Sequence, residues 1–200
     1  PNVFSEFGFL IVDECHHIGA KVFSRALTKI NFKYTLGLSA TPQRKDGLSK
    51  VFKWFMGDIV YKIKKKKAVT THFLISKFSS ESEKYKRDFV SFNGRPNIAK
   101  MINNKCEFQE RTQHIAQVLE LILRKEPTRN VIILSERRQH LKDISERICE
   151  LCPSLESEIG YYVGSMKPSA LSESCMKQII LGTYNMVSEG FDLPKLDTLI

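Results

Sequence analysis

No apolar run in the 200 residues approaches the length of a membrane span, and no signal peptide is visible. No membrane partner is therefore expected. Cysteine is sparse and scattered: five residues, with no spacing that suggests a disulfide framework. Reduced thiols in an intracellular protein are the expectation. The lone C-x-x-C, Cys149-Glu150-Leu151-Cys152, lacks a second pair, so two packed thiols are favoured over zinc. Acid is scarcer than base, with 22 Asp and Glu against 31 Lys and Arg, and sequence repeats of short period are absent. What is present includes 42% hydrophobic residues, ample for a core in one or two domains. The chain starts at Pro1 and stops at Thr198-Leu199-Ile200 with the look of a strand, as a piece of a longer protein would.

The excess of base is local. Between Pro42 and Lys67 nine Lys or Arg stand against Asp46 and Asp58, so that segment carries +7 of the net +9. Such a concentration suits a polyanionic partner, although for Lys64, Lys65, Lys66 and Lys67 a solvated linker reads equally well.

The chain is organised around Phe9-Leu10-Ile11-Val12-Asp13-Glu14-Cys15-His16-His17. Four apolar residues predict a strand buried on both faces, as in a parallel sheet. Asp13 and Glu14 must then emerge at its C-terminal end, the edge where open α/β sheets bind ligands. Adjacent acids there suit nucleoside triphosphate hydrolysis, one helping to hold Mg²⁺ and the next polarising water. The plainer alternative is a loop of solvated acids.

After Gly19, residues Val22, Phe23, Ala26, Leu27 and Ile30 fall on one helical face, and Tyr34-Thr35-Leu36-Gly37-Leu38 reads as a second strand. Strand, helix and strand make the crossover unit of a parallel sheet. Gly47 to Met56 predicts a short helix burying Val51, Phe52 and Phe55, and Ile59 to Ile63 a strand. Residues 68–108 are the least legible. Thr71 to Phe78 has strand composition, Glu81 to Phe92 could be a charged helix, and Asn93-Gly94-Arg95-Pro96 is a turn signal. From Gln109 the alternation is clear again. Ile115, Val118, Leu119 and Ile122 mark a helix, Val131 to Leu134 a strand, and Leu141, Ile144, Ile148 and Leu151 a helix. Ile159 to Val163 and Gln178 to Leu181 supply two further strands.

D-E-x-H-H at Asp13 to His17, followed by Ser39-Ala40-Thr41-Pro42, resembles motifs II and III of the superfamily 2 helicases. Ile179-Ile180-Leu181-Gly182-Thr183-Tyr184-Asn185-Met186-Val187-Ser188-Glu189-Gly190-Phe191-Asp192 resembles their motif V, in the family's order. The resemblance implies an α/β fold of two RecA-like parallel-sheet lobes, each incomplete here. Residues 1–63 would be the C-terminal part of the first lobe, 64–108 a linker or small insertion, and 109–200 the N-terminal part of the second. It also implies ATP and Mg²⁺, and a nucleic-acid partner with DNA ahead of RNA. A-T-P-x-R-x-D-G at Ala40 to Gly47 is similar to helicases related to the DNA-opening subunit of transcription and repair complexes. Gly94-Arg95-Pro96-Asn97, Met101-Ile102-Asn103 and Tyr161 to Lys167 look like segments of helicases from nucleocytoplasmic large DNA viruses. That narrower likeness implies a place in host cytoplasm or virion, beside transcription or replication machinery.

Roles follow by position in the motifs. The resemblance implies that Asp13 would be the metal-side carboxylate, Glu14 the general base, and His17, as last residue of its motif, a link to the second lobe. Cys15 fills the variable position, and His16 departs from the common Ala or Asp. A His pair beside carboxylates is also a zinc pattern, which its place in the motif outweighs. Ser39, Ala40 and Thr41 would couple nucleotide state to the other lobe. Arg44, Ser135, Thr183 and Lys64 to Lys67 would contact nucleic acid, Ser135 alternatively being a plain N-cap. Gly190 and Asp192 would approach the nucleotide. No G-x-x-x-x-G-K-[ST] phosphate loop and no arginine-bearing motif VI occur in the 200 residues. By the family's order they belong upstream of Pro1 and downstream of Ile200. The reading is of an ATP-dependent helicase or translocase. A duplex-translocating motor of a restriction or remodelling enzyme, and a non-catalytic nucleic-acid-binding relic, are its alternatives.

Overall fold

The two apolar runs of the first forty residues pair as parallel strands, β1 (Phe9–Val12) and β2 (Tyr34–Gly37), with Phe9 opposite Tyr34 and Val12 opposite Gly37. The computed structural model describes residues 4, 6–19, 25, 27–29, 32–40, 49–63, 71–188 and 191–200. The chain divides into two units, Pro1–His72 and Phe73–Ile200.

In the first unit, register places Leu10, Val12, Thr35 and Gly37 on one face of the pair. That face meets a small core of Cys15 and Ile18, with Val12, Leu27, Phe55 and Met56 packed around them. Phe55 and Met56 come from α1 (Ser49–Met56), the short helix expected from its apolar spacing. The Thr35 hydroxyl donates to the Phe55 carbonyl at 3.1 Å. Gly37 is required by this packing, since a Cβ there would stand 2.9 Å from the Cys15 sulfur. Most of the helix expected over 22–30 lies outside the described residues. Ile59 to Ile63 is not a strand, contrary to its composition, and Val60 and Tyr61 are 90% and 80% exposed. Among the described residues no neighbouring strand pairs with this segment, and β propensity without a partner makes no sheet.

The second unit is built on four parallel strands in the order β4-β5-β3-β6. They are β3 (Val131–Ser135), β4 (Ile159–Tyr162), β5 (Ile179–Thr183) and β6 (Thr198–Leu199). Ahead of them in the chain come α2 (Glu83–Lys86), α3 (Ile98–Cys106) and α4 (Gln109–Lys125). Between and after the strands lie α5 (Arg138–Leu151), α6 (Pro168–Met176) and α7 (Tyr184–Val187). The apolar stripes of α4 and α5 (Ala116, Leu119 and Leu123; Leu141, Ile144 and Ile148) close over Val131, Ile133, Ile179 and Leu181. Ile132 and Ile180, on the other face, are buried too. Burial on both faces explains why β3 and β5 read as continuous apolar runs rather than alternations. Each such side chain withdrawn from water contributes about 1.5–3 kcal/mol. The edge strand β4 meets α6 closely: a Cβ on Gly160 would lie 2.8 Å from the Ser174 Cα.

Residues 73–108 group with this second unit. Thr71 to Phe78 forms no strand, and Phe73, Leu74 and Ile75 are at least 90% exposed. The helix expected over Glu81 to Phe92 is a single turn, α2. The turn at Asn93 to Pro96 is present. Gly94 takes φ +75°, which favours glycine, and the Ser91 N–H donates to the Arg95 carbonyl at 2.7 Å. What fastens the segment is a ring cluster. Phe78 lies 5.4 Å from Tyr85, Tyr85 lies 4.8 Å from Phe108, and Phe78 lies 5.7 Å from the His114 ring. The Lys105 ammonium sits 3.5 Å over the Tyr85 ring, and Ser76 bonds His114 Nε2 at 2.8 Å. No helix among the described residues is long and apolar enough to cross a membrane.

Candidate functional site

Where β1 ends, the chain turns sharply through its two acids. Glu14 adopts φ +46°, the left-handed region that side chains other than glycine occupy at a cost of about 1–3 kcal/mol. Its N–H donates to Asp13 Oδ1 at 2.8 Å, and its carbonyl accepts the His17 N–H at 2.9 Å. Past the strands, the Leu38 N–H donates to the Val12 carbonyl and the Cys15 N–H to the Leu38 carbonyl, each at 2.9 Å. The acidic turn is thereby tied to the 38–40 turn that follows β2. Asp13 and Glu14 are exposed at this C-terminal edge, whereas Cys15 points inward and is 5% exposed. Burial pushes the Cys15 thiol up, and the neighbouring Glu14 and Asp13 carboxylates add to the effect.

The side chain that joins the two turns is His16. Its Nδ1 lies 2.8 Å from Ser39 Oγ and 3.2 Å from Glu14 Oε2, and its ring rests 4.2 Å from that of His17. The structure thus brings together Asp13, Glu14, His17, Ser39 and Ala40, with His16 as the bridge. Sequence reasoning gave His16 no role. The available signal was its place two residues after Glu14, in a turn short enough to fold the ring back. Thr41, Arg44, Lys64, Lys65, Lys66, Lys67 and Gly190 lie outside the described residues.

A divalent metal is tested by these donors. Two exposed carboxylates, one oxygen already held by a backbone N–H, suit Mg²⁺, which takes one or two carboxylates and completes its shell with phosphate and water. Among the described residues no three His, Cys, Asp or Glu side chains gather as a protein-only metal cage would require.

In the second unit, Ser135 and Thr183 are register partners at the C-terminal ends of β3 and β5. Ser135 is buried, its Oγ 2.9 Å from His140 Nδ1 and accepting the Arg137 N–H at 3.3 Å. It is not the N-cap of α5, which is Arg137. Thr183 is half-buried and Asp192 exposed, while the Phe191 ring meets the Tyr162 edge at 4.7 Å. His140 was also missed from the sequence. It is 4% exposed, and its Nε2 has no hydrogen-bond partner among the described residues. Burial first, then the Arg111 charge, lowers its pKa to about 4, so the ring is neutral at physiological pH. Burial likewise raises the nearby Cys106 thiol, opposed by a hydrogen bond from Ser135.

Residues 2–44 match the family described as the res subunit of type III restriction enzymes. A protein of Acanthamoeba polyphaga mimivirus named as the ATP-dependent RNA helicase L396 is 35% identical over 203 residues, covering 100% of this chain and 38% of the relative. The protein of Invertebrate iridescent virus 6 named as helicase 161L is 26% identical over 208 residues, covering 97% of this chain and 44% of the relative. The chain therefore spans about two fifths of the length of these curated relatives. Among solved structures, a fragment named as an HsdR subunit of a type I restriction enzyme from Vibrio vulnificus superposes with a TM-score of 0.61 at 16% identity, covering 98% of this chain and 38% of that one. That likeness is one of fold.

Proposed function

We propose that this superfamily 2 helicase-like chain is the segment of an ATP-driven helicase or translocase that carries its hydrolytic carboxylates and part of its nucleic-acid track. The observation that carries the reading is the His16 bridge, which holds Glu14 and Ser39 against one another at the C-terminal edge of a parallel strand pair.

Asp13 would hold Mg²⁺, which would supply charge neutralisation for phosphoryl transfer. Glu14 accepts the proton of the water whose oxygen attacks the γ-phosphorus, as the bond to the β-phosphate oxygen breaks. His16 positions that carboxylate. Because the same ring nitrogen faces Ser39, a change at Glu14 reaches the turn at Ser39 and Ala40 through the His16 side chain. His17, its ring tilted against that of His16, links this site onward. Ser135 and Thr183 mark the strand ends along which nucleic acid runs, with Arg44 and the lysines adding phosphate contacts. Gly190 and Asp192 approach the nucleotide. DNA is the favoured substrate, and the setting is intracellular. Residues 1–63 and 109–200 belong to separate lobes, with 64–108 a linker or small insertion between them in the chain.

The test is nucleic-acid-stimulated ATP hydrolysis. The complete protein is expected to show it, and the 200-residue chain, which contains no phosphate-loop sequence, is not. Turnover well above background from the 200 residues alone would show the active site to be misplaced.

The basic run makes a separate, quantitative expectation. Each phosphate contact contributes about −0.7 to the slope of log K against log salt on single strands, or about −0.9 on duplex. Replacing Lys64, Lys65, Lys66 and Lys67 by Ala should weaken binding to all sequences alike and flatten that slope by roughly two to three. Titrations at several salt concentrations measure it, and an unmoved slope would make the run a solvated linker.

A further inference from the structure

Strand β4 is the outermost strand of its sheet, with β5 on one side and no strand on the other among the described residues. Beside that free edge runs a groove of about 770 Å³ between β4 and α5. One wall is the stripe Arg138, Lys142, Ser145, Glu146 and Cys149, which recurs at helical spacing next to the buried stripe of α5. The floor is Ile159 and Tyr161 on the α5-facing side of β4 and Val163 just past its end, half-buried alternate residues.

The groove has polarity. Arg138 lies at the end beyond β4, where a Cβ on Gly164 would stand 3.0 Å from its Nη2. Lys142 is one helical turn further on. Glu146 follows another turn along, and Glu156 stands just ahead of β4 at the opposite end. All four are exposed, and none forms an ion pair with a described residue.

We propose that this groove binds an extended peptide strand of a protein partner, which adds to the free edge of β4. The strand carries an acidic residue beside Arg138 and Lys142 and a basic residue beside Glu146 and Glu156. A strand laid there would satisfy the outward backbone groups of the edge and seat alternate side chains on Ile159, Tyr161 and Val163. Two acids in the lining work against a nucleic-acid backbone, whose charge has one sign along its length. The nucleic-acid track proposed above runs along the C-terminal ends of β3 and β5, the edge that the Arg138 end of the groove borders, whereas Glu146 and Glu156 lie toward the other end.

The test pans a displayed library of random linear nine-residue peptides on the complete protein. A recovered sequence is then synthesised and its affinity measured by fluorescence anisotropy. Recovered peptides should alternate β-branched or aromatic residues and carry opposite charges at their two ends. Arg138→Glu combined with Lys142→Glu should weaken binding about tenfold or more. On the wild-type protein, N-methylation of alternate peptide amides should abolish binding, and the unmodified peptide should protect Cys149 from alkylation. Indifference to both the charge reversal and N-methylation would overturn the proposal, as would failure to recover any such peptide. Occupation of the groove by a second copy of the chain, seen as a dimer that the charge reversal dissociates, would overturn it too.

Discussion

Glu14→Gln in the complete protein is expected to slow ATP hydrolysis by about 10²–10⁴-fold while leaving binding of Mg-ATP nearly intact. Gln matches Glu in shape and keeps an oxygen that can face His16, so the His16 bridge is retained. The Asp13 carboxylate is untouched, and so is the backbone bond from the Glu14 N–H to its Oδ1. Only the capacity to take a proton is lost. Steady-state phosphate release, paired with equilibrium binding of a fluorescent ATP analogue, separates the two quantities. Turnover close to wild type would remove Glu14 from the base role. Loss of binding together with hydrolysis would instead mean that the φ +46° turn had collapsed.

Acid is expected to loosen the second unit through one residue. Buried His140 has a pKa of about 4 when folded, against about 6.5 for an exposed histidine. Between these values the unfolded chain binds the proton and the folded one does not, so stability rises with pH there. The contribution is complete above about pH 6.5 and is lost as pH falls through about 4. By pH 4.5 the loss should be on the order of 2–3 kcal/mol. His140→Asn keeps a hydrogen-bonding group near Ser135 and does not titrate. Urea unfolding of wild type and variant at pH 7 and pH 4.5 isolates the effect from the carboxylates, which both proteins share. Equal pH dependence in the two would show that His140 is not the group responsible.

The second unit was largely readable from its residues because its central strands β3 and β5 are buried on both sides and its longer helices on one. Val131 to Leu134 and Ile179 to Leu181 are apolar throughout, and the stripes of α4 and α5 repeat at helical spacing. Three helices escaped notice, of which α7 is a single turn too short to show a face. In α3 the apolar stripe is thin, although Asn97, whose side chain accepts the Lys100 N–H, was a legible start signal. In α6 the serines blur any face, leaving Pro168 at its first position as the only mark. Ile59 to Ile63 and Thr71 to Phe78 misled for the opposite reason: their composition suits a sheet, but among the described residues no strand lies alongside to pair with them. At the candidate site, the acids and Ser39 were legible from motif order. The bridge was not, because the reach of the His16 ring depends on how tightly the chain turns after Glu14.

The strand order of the second unit bears on its synthesis. β3 is central, flanked by β5 from residue 179 and by β6 at residues 198 and 199. While a ribosome is still making residues 136–178, β3 has neither neighbour, although α4 and part of α5 can already shelter one of its faces. The chain therefore emerges with a strongly apolar strand exposed along both edges, open to pairing with another nascent chain. Closure depends on contacts far apart in sequence, which form slowly. Truncation just before Thr198 would leave that edge permanently open. Such a product is expected to aggregate during expression even though every described helix of the unit is intact.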